Sequence, residues 1–274
     1  MRIQHNIAAM NSYRQLGGNN NALSKNLEKL SSGFRINRAG DDAAGLAISE
    51  KMRAKVAGLS AAKKNAGDGI SLIQTAEGAL NEVHSMMKRM EELCVQASNG
   101  VYGTKERAEI TNEIAALKTE IGRISQDTTF NDIALFNEGA NAADLNLQVS
   151  DSANGTIELK ITGFTLANAA LSLDAVDVTD AAKSLTSVAK VKAGIEVVSG
   201  YRGQLGAVQN RLEHTVDNLG TTIENLSASE SRIRDTDMAD EMMAYTKNNI
   251  LVQAAQAMLA QANQVPQGVL QLLQ

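Results

Sequence analysis

From Ile73 the apolar positions run Ile73, Ala76, Leu80, Val83, Met87, Met90, Cys94 and Ala97, in strictly alternating steps of three and four. That spacing keeps one face of a long α-helix apolar. After a break at Asn99, Gly100 and Gly103 the same steps resume at Ile110, Ile114, Leu117, Ile121 and Ile124, with Thr104 placed as the N-cap of a second helix. Together the two stretches predict a helical hairpin. A third run is longer: Val191, Val198, Leu205, Leu212, Leu219, Leu226 and Ile233 recur every seven residues. Val188, Ile195, Val216 and Ile223 hold the second core position, and Arg202, Gln209 and Glu230 interrupt it. A seven-residue repeat held that long makes helices supercoil, and at ~1.5 Å per residue it predicts a rod on the order of 65–70 Å.

Between the second and third helices the period falls to two. Leu145, Leu147 and Val149 alternate with Asn146 and Gln148, then Ile157, Leu159 and Ile161 with Glu158 and Lys160, and Asn154-Gly155 lies between them. This is the pattern of a β-hairpin. The fold class expected is mainly α, an elongated coiled-coil-like helical bundle with a small β-hairpin region near 145–161.

The two ends differ from the middle. Ile3, Ile7 and Met10, then Leu23, Leu27, Leu30 and Phe34, make a seam interrupted by Gly17-Gly18 and three consecutive Asn, a weak helix without outside support. Residues 248–274 carry no charge, and ten of these 27 are Asn or Gln. Gln253, Gln256, Gln261, Asn263 and Gln264 interrupt every window long enough for a bilayer, so no membrane span is expected. Such a tail solubilises itself poorly and is too polar for lipid, which predicts packing against other helices in an assembly.

Composition narrows the chemistry. Eight aromatic residues in 274, none of them Trp, leave the core to aliphatic side chains, and Pro266 is the one proline. A lone cysteine, Cys94, excludes an intramolecular disulfide and a cysteine-cluster zinc site, and its place on the seam makes it a small buried hydrophobe. The start MRIQHNIAAMN has no apolar core of a secretory signal, so export through a cleavable signal is not expected. Residues 1–64 carry a net +7 and residues 65–274 a net −12. The basic stretch lacks a recognition motif or interleaved aromatics, which argues for pairing between segments or subunits and against nucleic acid.

No stretch reads HExxH, GxSxG, Walker A or a zinc spacing, and His5, His84 and His214 have no partner at ligand spacing. No catalytic residue, cofactor or metal ligand is assigned, and an enzyme is not expected. Gly200, Gly203 and Gly206 lack the strand-turn context of a phosphate loop and read as sites of close helix packing. Asp41-Asp42 precede an Ala-rich helix and read as its cap, not a metal loop. Met86, Arg89 and Leu93 fall one step off the seam on a shared flank, and Glu106, Glu113 and Glu120 line the outward side of the next helix, which reads as solvated or intersubunit surface.

The run LSSGFRINRAGDDAAGLAISEKM from Leu30 to Met52, NAGDGISLIQTAEGALNEV from Asn65 to Val83, and SRIRDTDMADEM through LAQANQVPQGVLQLLQ at the other end closely resemble the terminal signatures of bacterial flagellin, with Phe34 where Leu is usual. The resemblance implies that 1–40 and 235–274 are paired terminal helices of an inner-tube domain, disordered in the monomer. Residues 41–234 would then form a rod-shaped outer domain, and no large variable outer domain is present. It implies a structural subunit that polymerises into the extracellular flagellar filament for motility, with terminal apolar positions Ile3, Ile7, Leu23, Leu27, Leu251, Val252, Met258 and Leu259 at the polymerisation contacts. Implied partners are further copies of the chain, the flagellar type III export apparatus, a secretion chaperone on the C-terminal helices, and filament cap and junction proteins. The host flagellin-sensing Toll-like receptor would dock on Arg89, Leu93 and Glu113, three side chains taken to lie off the apolar seam. The alternative is a hook-filament junction protein of the same superfamily. An inserted peptidase is remote, given the short middle and missing HExxH, and a non-polymerising helical rod does not explain the terminal signatures.

Overall fold

The computed structural model describes the backbone of residues 6–136, 145–151, 155–159, 166–167 and 171–272, and the side chains of all these except 145, 158–159 and 265–272. Five helices carry the described chain: α1 (Ile7–Ser32), α2 (Ala43–Ser98), α3 (Thr104–Asp127), α4 (Ala181–Arg234) and α5 (Met238–Leu272). Two antiparallel pairs accompany them, β1 (Thr129–Phe130) with β2 (Ile133–Ala134), and β3 (Leu145–Gln148) with β4 (Thr156–Leu159). The fold is mainly α, as expected. The chain divides into two compact units, residues 1–56 with 224–274 and residues 57–223.

In the second unit the alternating seam of α2 is the centre of the core. All eight positions from Ile73 to Ala97 have no exposed surface. Ile110, Ile114 and Ile121 of α3, and Val191, Val198, Leu205 and Leu212 of α4, are buried in the same cluster. Helix α4 begins before its first heptad residue, with Ser184 and Ser187 continuing the buried face as small groups, and Gly194 adds a third within the run. A Cβ on Gly194 would meet Met87 Cε and stand 2.9 Å from the Leu171 carbonyl oxygen, so the backbones approach closely there. Gly200, Gly203 and Gly206 instead have nothing near them, which corrects their reading as packing glycines. They are out of phase with Val198 and Leu205, which occupy the buried stripe.

Helix α3 is preceded by Gly103, whose extended backbone occupies the N-cap position without a side-chain bond; Thr104, expected there, is the first helical residue. The C-terminal carbonyls of α2 are met from the next helix, where the Arg107 guanidinium donates to Ala97 O at 3.2 Å and Asn99 O at 3.3 Å. The β1–β2 turn was not foreseen. Asn131 and Asp132 both have positive φ, the backbone a two-residue hairpin turn requires, and Asn and Asp tolerate it best after glycine. The β3–β4 pairing follows the period-two pattern, Leu145 opposite Leu159 and Leu147 opposite Ile157; Ile161 lies outside the described residues. This hairpin rests on one face of α2: Asn65 Nδ2 donates to Gln148 O at 3.0 Å, and a Cβ on Gly69 would stand 2.5 Å from Leu147 Cδ1.

The stretch before α4 is irregular yet buried. Leu171, Leu173, Val176 and Val178 enter the core. Their backbone is satisfied by side chains: the Ser187 hydroxyl accepts from Asp177 N and donates to Asp177 O, Lys118 Nζ donates to Val176 O and Lys190 Nζ to Ala175 O.

In the first unit α1 runs unbroken through Gly17-Gly18 and the three Asn, supported by pairing with α5. Asn6 caps it, accepting from Ala9 N, and donates from Nδ2 to Ala262 O at 2.7 Å. Gly33, at φ 74°, ends it with its N–H on Lys29 O. Asp42 caps α2 as expected, accepting from Gly45 N at 2.9 Å, while Asp41 accepts from the Asn37 and Arg38 N–H groups. Those two backbone bonds hold the Asp41 carboxyl below its ordinary range. Phe34 and Asp235 form an antiparallel bridge, with Arg35 N donating to Arg234 O and Thr236 N to Gly33 O.

Candidate assembly surfaces

On the α1–α5 pair the expected polymerisation residues separate into two groups. Val252 is buried at 8% exposure, and Leu23 and Leu259 are half-buried. Ile7, Leu27, Leu251 and Met258 are exposed, at 58, 55, 40 and 63%. Ile3 lies outside the described residues. Met10, which the sequence places on the α1 seam, is exposed as well, and sequence reasoning missed further apolar groups on the same helices: Tyr13, Met238, Met242, Met243 and Ile250 are also exposed. The steps between Met238, Met242 and Ile250 were the available signal. Away from α1 and α5 the exposed large hydrophobics among the described residues are Ile48, Val95, Val101 and Leu185. Covering an exposed Leu, Ile or Met is worth about 1.5–3 kcal/mol, so unpartnered apolar surface is concentrated on the terminal helices. Lys29 and Glu241 pair across α1 and α5 at 3.7 Å.

The three expected receptor residues lie at the α2–α3 hairpin but not all on its surface. Arg89 Nε donates to Glu113 Oε1 at 3.0 Å and its NH1 to Glu92 Oε2 at 3.3 Å, all three side chains being exposed. Glu113 first, then Glu92, raises the Arg89 pKa. Leu93, expected off the apolar face, is 2% exposed and belongs to the core. The reason is that α2 packs against both α3 and α4, which needs a stripe wider than one seam. Leu72, Ala79, Met86 and Leu93, seven residues apart, form its second edge, each buried or packed against the core.

The remaining chemistry is inert. Cys94 has no exposed surface, and burial pushes its thiol up to about 11, against a smaller opposing effect of Lys118. His84 Nδ1 is buried without a hydrogen-bond partner, and burial lowers its pKa ahead of the nearby Lys88 and Arg202. Among the described residues no group of three or more His, Cys, Asp or Glu is placed to hold a metal, and no helix is long and apolar enough to cross a membrane.

Residues 3–141 match the family model of the bacterial flagellin N-terminal helical region, and residues 188–273 match that of the C-terminal helical region. The chain belongs to the bacterial flagellins. It is 53% identical to the flagellin of Halalkalibacterium halodurans and 51% identical to that of Bacillus subtilis, in both cases over the whole of each chain. Among solved structures it is similar to the crystal structure of Bacillus cereus flagellin, at 27% identity and a TM-score of 0.52, covering 61% of this chain and 94% of that one. As a flagellin it is a non-enzymatic structural subunit that polymerises with its own copies into the flagellar filament. The hook-filament junction alternative falls away beside full-length matches to flagellins. Residues 142–187, outside both family models, hold β3, β4 and the buried stretch before α4.

Proposed function

We propose that this flagellin polymerises through the terminal helices, residues 1–40 and 235–274 forming the inner-tube domain and residues 41–234 the outer one. The carrying observation is the concentration of exposed apolar side chains on α1 and α5: Ile7, Leu27, Leu251 and Met258 stay 40–63% exposed within the chain, whereas Leu23, Val252 and Leu259 are buried or half-buried in it. Ile3 belongs with the first group by its sequence pattern. Association buries this surface and stabilises the helices by mass action. Deleting residues 250–274 is expected to leave a folded, soluble protein that forms no filaments by electron microscopy with or without seeds; filaments from the truncated chain would refute the proposal.

Within the same reading, the subunit leaves the cell through the flagellar type III export apparatus, with a secretion chaperone holding the C-terminal helices, and meets cap and junction proteins at the filament ends. It works outside the cell. Host flagellin-sensing Toll-like receptor docks at the Arg89–Glu113 pair, and Leu93 supports that surface from beneath. Arg89→Ala is expected to weaken receptor binding with the fold unchanged, and undiminished binding would remove the patch from the reading.

A further inference from the structure

Among the described residues the oxidisable sulfur is unevenly placed, with Met52 of α2 half-buried between two extremes. Met87, Met90 and Cys94 have no exposed surface, and Met86 is partly buried against the same core. Met10 on α1 and Met238, Met242, Met243 and Met258 on α5 are exposed, Met10 at 66% and Met243 at 64%. All five belong to the first unit and lie on the two helices that carry Ile7, Leu27, Ile250 and Leu251. A thioether is apolar and flexible, suited to irregular apolar contact, and its sulfoxide is polar and chiral.

We propose that these five methionines are a peroxide-sensitive modification site of the free subunit, that their sulfoxides remove its competence to polymerise, and that polymerisation shields them. The proposal rests on the reading that α1 and α5 carry the assembly surface. In each event a sulfur lone pair attacks one oxygen of hydrogen peroxide; an S–O bond forms and the O–O bond breaks. The sulfur is oxidised by two electrons, and the peroxide is reduced to water as the proton of the transferred OH passes to the departing hydroxide. The products are one methionine sulfoxide and one water. The reaction needs access to sulfur, which Met87 and Met90 do not give. A sulfoxide inside an apolar contact leaves a strong acceptor without a partner, which disfavours the contact. A methionine sulfoxide reductase reverses the change.

The test uses the full chain. Free subunit and preformed filament are each treated with hydrogen peroxide, oxidation is mapped by peptide mass spectrometry, and seeded polymerisation is followed by light scattering. Expected are oxygen gain at Met10, Met238, Met242, Met243 and Met258 ahead of Met87 and Met90, unchanged helicity by circular dichroism, and polymer yield reduced about tenfold or more. Sulfoxide reductase restores the yield, and preformed filaments oxidise more slowly at the same five sites. A Met242→Leu, Met243→Leu, Met258→Leu variant keeps more of its yield after peroxide than the native chain. Equal oxidation of subunit and filament, normal polymerisation of the oxidised subunit, or loss of helicity on oxidation would overturn the proposal, and the mapping comparison decides it even if the variant does not fold. An oxidation-independent failure of the surface reading shows separately, as filaments from the chain lacking residues 250–274.

Discussion

The guanidinium of Arg234 lies over the ring of Phe34, 4.7 Å from its centroid. The same group bonds Glu50 at 2.6 Å, while the backbones on either side are joined by Arg35 N to Arg234 O and Thr236 N to Gly33 O. Arg35 adds its own guanidinium to Ile233 O at 2.6 Å, satisfying an end carbonyl of α4. The turn after α1 and the link from α4 to α5 are thus fixed by stacking and backbone pairing, with Glu50 of α2 adding charge. Phe34→Leu keeps the apolar contact and removes the cation–ring attraction, an expected loss of about 0.5–1 kcal/mol in chemical denaturation. Arg234→Met, which also removes the bond to Glu50 and leaves that carboxylate with Arg53, is expected to cost more.

Acidification acts on this junction and on His84 in different ranges. The bond from Arg234, ahead of the other charges near it, lowers the Glu50 pKa from its ordinary 4.5. Its contribution to stability is therefore complete above that value and is lost as pH falls through the lowered one. Burial lowers His84 from 6.5, so the unfolded chain takes up its proton first and stability declines as pH falls below 6.5. Thermal midpoints followed from about pH 8 down to about pH 3 should show Glu50→Gln flattening the acidic limb and His84→Gln flattening the neutral one. Equal slopes in native and variant proteins would contradict the assignments.

Two glycines of α4 should respond in opposite directions. Gly200→Ala enters open space and relieves the helix of a poor helix former, an expected gain of about 0.5–1 kcal/mol. Gly194→Ala drives a methyl group toward Met87 and the Leu171 carbonyl, and overpacking there is expected to cost about 1–3 kcal/mol before the propensity gain is subtracted. Urea denaturation of the two variants gives the comparison.

At the receptor surface, stability and binding should come apart. Leu93→Ala empties a core position and is expected to lower stability by about 2–5 kcal/mol, whereas Arg89→Ala removes a solvent-screened ion pair and leaves the unfolding midpoint unchanged. Reduced receptor binding by a Leu93 variant is then interpretable only beside its denaturation curve.

Periodicity exposed what depends on one repeating face. The α2 seam, the heptads of α4 and the β3–β4 hairpin were all readable, because one-sided burial leaves an imprint at spacing 3.5 or 2. The continuity of α1 was not, since its Gly17-Gly18 and Asn run is overridden by pairing with α5, far away in sequence. Leu93 was misplaced because a helix with two neighbours buries more than one seam. The packing of Leu171 to Val178 was hidden for a different reason: its backbone partners are the side chains of Lys118, Ser187 and Lys190, which no local pattern announces. For the assembly surface, apolar residues such as Ile7 and Val252 were recognisable alike, but which of them face α1, α5 or solvent depends on the rotation of each helix about its axis.

The charge-free stretch at residues 248–274 has one further consequence. Contacts made there contain no Coulombic attraction between side chains that dissolved ions could screen. Their strength follows temperature and water activity, and a cell moving from fresh water into brine would keep these contacts in place and tighten them slightly.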